Sequence, residues 1–151
     1  MKQIKNSTSS QELVREIESK CLLTRTRRMS RILTSIYDQA LRPFGVNSPQ
    51  FTLLVLISRI GPASRADIGR ENHQERSTLT RNLQIMLAEG WIEEVPALTQ
   101  GRSRPVAVTA AGHALLQSAA PAWRSAQSQA NEVLGKQGAA AILGIAQHLD
   151  R

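Results

Sequence analysis

The sequence holds a single cysteine, Cys21, so it can form no internal disulfide, and one thiol alone cannot build a thiolate zinc site. That usage fits a reducing compartment. Long apolar runs are missing as well: the longest, Phe51 to Ile57, falls far short of the roughly 20 residues needed to cross a bilayer. The amino end, MKQIKNSTSSQE, is polar and lacks both the apolar core and the small-residue cleavage site of a secretory signal, which predicts a cytoplasmic protein. His73, His113 and His148 are widely separated, with no carboxylate or cysteine cluster at ligand spacing, so no metal site is expected. There is no Ser-His-Asp arrangement and no phosphate-cradling glycine loop. The expectation is therefore a protein that is not an enzyme and needs no cofactor. No repeat, low-complexity tract or interdomain linker interrupts the chain, so residues 1–151 are read as one domain.

What the sequence does have is positive charge. Nineteen Lys and Arg against twelve Asp and Glu leave a formal charge of +7, with a pI near 10.7. Such a balance attracts polyanions without specifying a fold. Nucleic acid is the first partner to consider, because the rival, a membrane, finds no spanning segment here. At 41% hydrophobic residues the chain can bury a real core.

From Gln11 to about Arg42 there is no Pro or Gly, and Leu13, Ile17, Cys21, Ile32, Leu33, Ile36, Tyr37, Ala40 and Leu41 recur at helical spacing. Ser9 or Ser10 can cap the start, and Pro43 with Gly45 should end it. One unbroken helix of that length would run about 50 Å, against a radius of gyration of roughly 15 Å for a compact chain of this size. Part of it would overhang its own globule, and a symmetric second copy is the commonest cover for such an apolar stripe. Ser48-Pro49 then reads as cap and first turn of a buried helix through Ile60, carrying Phe51, Leu54, Val55 and Ile57, which Gly61 and Pro62 stop. Ser64 and Asp67 read as a capping box for a short helix to about Glu71, with Ala66 and Ile68 inward. A polar turn, Asn72-His73-Gln74, leads to a helix from Glu75 to Ala88, with Leu79, Leu83, Met86 and Leu87 on one face and Gly90 as terminal cap. Trp91 to Val95 and Pro105 to Val108 read as two strands around a loop, Pro96 to Ser103. Thr109 caps a helix that Pro121 bends or divides, and a last Ala-rich helix runs from about Lys136 to Leu149.

Short helix, polar turn, amphipathic helix and two-stranded hairpin make a winged helix-turn-helix, in which the second helix of the pair lies in the major groove. That role needs an apolar face for docking and a small-polar, basic face for the groove. Ser77, Thr78 and Thr80 are short enough for close approach, Arg76 and Arg81 can reach guanine edges or phosphates, and Asn82 lies beside them. Arg65, at the start of the short helix, and Arg102 and Arg104 in the hairpin are suited to phosphates or an adjacent minor groove. The run Glu75-Arg76-Ser77-Thr78-Leu79-Thr80-Arg81, the Leu87-x-x-x-Trp91-Ile92 continuation, and Gly101-Arg102-x-Arg104 leading to Val108-Thr109-x-x-Gly112 resemble the MarR family of transcription regulators, from about residue 12 onward. The resemblance implies a mainly α fold with a small two- or three-stranded β-wing. It also implies a winged DNA-binding lobe at 46–109 and a helical dimerisation region at 11–45 and 110–151.

The sequence departs from that family where Asn72-His73-Gln74 replaces a customary Leu-Gly-Leu, and where Gln100 stands in place of an acid that would hold the wing arginines. Histidine tolerates the left-handed backbone a tight turn needs, which suits His73 to its place.

Arg25, Arg27, Arg28 and Arg31 with Lys20 leave residues 20–37 with five basic side chains and no acid. They read first as a solvated face; Arg25 and Arg28, near the apolar stripe and together with Phe51, are candidates to line a cavity for a small anionic or aromatic effector. Cys21 reads first as a small buried apolar residue and secondly as a redox-sensing thiol between Lys20 and Arg25. The expected function is a homodimeric repressor of a pseudo-palindromic double-stranded DNA operator, released by a small ligand or by oxidation. The alternative from another class is a winged-helix module that binds a protein or RNA.

Overall fold

The computed structural model describes residues 9–97 and 104–149. The chain packs as two units, Met1–Ser35 and Ile36–Arg151.

Where one unbroken rod is expected the chain forms two helices, α1 (Ser10–Lys20) and α2 (Leu22–Leu41). Ser9 caps α1, and its capping box with Glu12 is complete in both directions. The ladder is interrupted at Cys21, which is extended at ψ 113° although its N–H still reaches the Ile17 carbonyl. Neither Pro nor Gly forces this break. α1 buries none of its side chains, and helices draw most of their stability from packing one face. Beyond the break Arg25, Arg28 and Arg31 repel one another at helical spacing, as do Arg27 and Arg31, so nothing local opposes the interruption. No rod of the expected length forms, because the longest unbroken helix of this region is 20 residues.

A single 3-10 turn, Arg42–Phe44, closes on Gly45 in the left-handed region at φ 71°. α3 (Ser48–Ile60) starts one residue earlier than its Ser-Pro pair suggests. Asn47 is the cap and exchanges hydrogen bonds with Gln50 in a full capping box, while the Ser48 N–H donates to Asp38 on α2 at 2.7 Å. That box gives the side-chain oxygen of the buried Gln50 a local donor, the Asn47 N–H. Phe51, Leu53, Leu54, Leu56 and Ile57 are buried and Val55 is exposed.

The core gathers Leu53, Leu54 and Ile57 of α3 with Ile68 of α4 (Arg65–Glu71) and Leu79, Leu83 and Met86 of α5 (Arg76–Ala88). Strands β1 (Ile92–Glu94) and β2 (Val106–Val108) close it through Ile92 and Val106. The strands pair antiparallel, with Ile92 opposite Val108 and Glu94 opposite Val106. Ala63, just before α4, adds an isolated bridge to the other edge of β2: its N–H donates to the Val106 carbonyl and the Val106 N–H returns a bond to the Ala63 carbonyl, at 3.1 and 2.9 Å.

α6 (Ala110–Leu149) is continuous through Pro121 and is broken at Gly135, φ 69°, immediately before the expected start of the last helix. Thr109 caps it by accepting from the Gly112 N–H at 3.1 Å. Gly112 is required there, because a Cβ would overlap the Trp91 carbonyl oxygen and sit 2.7 Å from Val108 Cγ1.

Candidate nucleic-acid interface

α4 and α5 are joined by the turn Asn72-His73-Gln74, and its polarity has a structural use. His73 is the one non-glycine residue with positive φ, 46°, among the described residues. Its N–H donates to the Arg70 carbonyl, the Gln74 N–H donates to the Gly69 carbonyl, and the Asn72 amide reaches Gln74 Oε1 at 2.7 Å. The turn is thus closed by hydrogen bonds where the family pattern uses apolar packing.

The period of α5 then divides its surface. Leu79, Leu83 and Met86 are buried, at 2% exposure or less, while Arg76, Ser77, Thr78 and Arg81 are exposed and Thr80 and Asn82 are half-buried. No ion pair involves Arg76 or Arg81 among the described residues. The bare side of α5 therefore carries two free guanidiniums and short hydroxyls, a set suited to base edges and phosphates in a major groove. Gly90, φ 74°, ends the helix in a paired cap, with Gly90 N–H to Leu87 and Trp91 N–H to Met86. That turn sends the chain directly into β1.

On the α4 side, Ser64 accepts from the Asp67 N–H at 3.1 Å as expected, but no reciprocal bond closes a box. Asp67 is one methylene shorter than Glu, and its carboxylate takes the Ser64 hydroxyl at 2.6 Å and the Arg70 guanidinium instead. The Ser64 hydroxyl, with help from Arg70, holds the Asp67 carboxyl below its ordinary range. Ala66, expected inward, is exposed; it sits two positions from buried Ile68 and so on the opposite side of a helix. Arg65, Arg70 and Arg76 converge with Gln74 and Thr80 on a cavity of about 640 Å³ between α4 and α5, with Leu79 in its lining.

Arg65 and Arg104 meet through an acid that the sequence did not single out. Arg65 Nη2 donates to Glu94 Oε1 at 2.9 Å, and Arg104 Nη1 lies 3.5 Å from Glu94 Oε2. The Arg65 hydrogen bond, then the charges of Arg65 and Arg104, hold the Glu94 carboxyl below its usual range. Glu94 thus holds one of the two wing arginines, Arg104, from β1. Arg102, Gly101 and Gln100 lie outside the described residues.

The remaining candidates separate. Arg25 and Arg28 are exposed on α2. Phe51 lines an apolar cavity of about 430 Å³ with Thr52, Val55, Leu116, Ala120 and Trp123, between α3 and α6. Cys21 is half-buried, and hydrogen bonds from the Thr24 hydroxyl and N–H lower its thiol pKa. No group of three metal-ligating side chains occurs among the described residues, and none of their helices is long and apolar enough to cross a membrane.

Residues 44–103, which hold α3, α4, α5 and β1, match the MarR family profile. The chain is 31% identical to the Mycobacterium tuberculosis transcriptional regulator MosR, over 87% of this chain and 96% of that one, with a TM-score of 0.70. A mutant MarR of Escherichia coli, crystallised with operator DNA, superposes with a TM-score of 0.77 over 89% of this chain and 96% of that one; at 17% identity it shows the shared fold. A helix-turn-helix transcriptional repressor of M. tuberculosis is 26% identical over 102 residues, 68% of this chain and 73% of its own length. A match to a Bacillus subtilis regulator spans 53% of that protein. With the exposed basic face of α5 and the wing in the family's order, the chain belongs to the MarR family of DNA-binding transcription regulators.

Proposed function

We propose that the protein is a cytoplasmic homodimeric repressor that sets the α5 helices of two copies into successive major grooves of a pseudo-palindromic operator. The observation that carries this reading is the split surface of α5, apolar side sealed and Ser77, Thr78 and Arg81 bare. Arg76, Thr80 and Asn82 extend that surface, and Arg65, Arg102 and Arg104 grip the flanking backbone. Dimerisation is assigned to α1 and the first part of the chain together with α6, residues 11–45 and 110–151. Leu13, Val14 and Ile17 on α1, and Leu143, Ile145 and Leu149 on α6, are about half exposed or more, and a second copy would cover them. A related M. tuberculosis MarR-family protein has been crystallised with salicylic acid, at 24% identity to this chain. A small aromatic acid is accordingly the proposed class of effector, with the Phe51 cavity as its seat.

Selecting duplexes from a random pool with purified protein tests the reading. The expected product is a palindromic motif with half-sites one helical turn apart. Recovery of no duplex motif, or of single-stranded RNA in a parallel pool, would overturn it. Adding salicylate to one arm and dilute peroxide to another distinguishes release by ligand from release through Cys21.

A further inference from the structure

Glu94 differs from every other acid among the described residues in pairing with two arginines. Its partners come from separate places: Arg65 opens α4, 29 positions earlier in the chain, and Arg104 stands just before β2. The Glu94 side chain is 32% exposed, whereas Arg104 is 76% exposed, so the carboxylate at the end of β1 is more covered than the guanidinium it pairs with. The three side chains together carry one net positive charge in place of two. Each guanidinium has five donors, and a carboxylate that engages one of them fixes the direction of the rest.

We propose that Glu94 is a specificity-determining residue, an internal anion that holds the phosphate-seeking Arg65 and Arg104 in one geometry and thereby weakens sequence-independent binding to DNA. The inference rests on the operator-binding reading above. Sequence-independent binding is almost wholly an exchange of phosphates for counterions and tolerates any register of protein on duplex. Free, long arginine side chains suit it, because they find a phosphate wherever the protein lands. Arginines tethered to β1 meet phosphates at fixed positions only, which the duplex offers when α5 is seated in its groove. In the seated complex the tether costs little, because base contacts from α5 have already set the register. Glu94 therefore acts more strongly against random duplex than against operator.

The test titrates wild-type protein, Glu94→Gln and Glu94→Ala with the selected operator and with a random duplex of equal length, across a series of salt concentrations. Both variants are expected to bind random duplex about tenfold more tightly, with a salt slope steeper by about one phosphate contact. Operator affinity should change by less than about threefold, so the ratio between the two falls. In an Arg65→Gln, Arg104→Gln background the gain from Glu94→Gln should vanish. Thermal melting of each variant reports whether the fold is intact, and the two replacements at position 94 differ in shape, so a shared signature belongs to the lost charge.

Unchanged random-duplex affinity overturns the proposal, and so does a gain that persists without the two arginines, which would mark simple removal of a negative charge. Weaker binding to both duplexes by variants that melt normally overturns it too, since the carboxylate would then serve to aim the arginines at DNA. A wild-type protein that binds no duplex overturns the operator reading and this inference with it; any of the other three results overturns the inference alone.

Discussion

Gly112 and Arg81 are the two residues at which single substitutions are expected to separate folding from DNA binding. Gly112 lets α6 start hard against the Trp91 carbonyl and Val108. A methyl group there has nowhere to go, because one neighbour is backbone, so Gly112→Ala should destabilise the fold by about 3 kcal/mol, read from urea unfolding. Arg81 has no ion-pair partner among the described residues and an exposed side chain. Arg81→Ala should leave the unfolding midpoint where it is and weaken operator binding by about 1–3 kcal/mol, with relaxed preference at one base position, as read by titration with single-base variants of the operator. Equal loss on operator and random duplex would reassign Arg81 to a phosphate. The sequence made both residues visible, Gly112 as part of a motif and Arg81 by helical period. Glu94 was invisible for a physical reason: its meaning depends on a contact across 29 residues and two elements, and no local pattern encodes that proximity.

Among the elements, α5 was legible because its apolar spacing, its start after a polar turn and its glycine cap all point to the same helix. The hairpin was legible for the same reason, and its two strands, with a single bridge at Ala63, match the expected small wing. The break between α1 and α2 was not legible, since the only local difference at Cys21 is its ψ of 113° and no helix-breaking residue announces it. The N-cap of α3 was displaced by one residue because Ser48 serves Asp38, a partner ten positions away. α4 is the element most exposed to test. It has seven residues, too few to persist alone, and its first turn hangs on Ser64 and Asp67. Ser64→Ala should cost about 1 kcal/mol. It should also raise the Asp67 carboxyl toward its ordinary range, because the Ser64 hydroxyl is the main cause of its depression; an NMR titration of the Asp67 side chain reads this directly.

For the molecule as a whole, pH and association give the measurable consequences. Asp67 and Glu94 both have folded-state carboxyls held below their ordinary values. A depressed folded value means that the unfolded chain binds protons first as pH falls. Their contribution is therefore fully present above about pH 5 and is lost as acid passes through the ordinary carboxylate range, near pH 4, toward the folded values. Urea unfolding between about pH 3 and 6 should show a steeper acid loss for wild type than for a protein carrying Asp67→Asn and Glu94→Gln. Association is tested on α6: Leu143→Glu places a charge on an apolar side chain that is 60% exposed in the isolated chain. Sedimentation should show the dimer dissociating at micromolar protein while helix content is retained.

Val106 turns both of its main-chain groups toward Ala63. The β-ribbon is thereby sewn to the stretch that launches α4, and Glu94 adds a charged stitch a short way along. Any signal that frees the protein from a promoter is therefore expected to carry β2 and the start of α4 along together, which a spin-label distance between the two would report as unchanged.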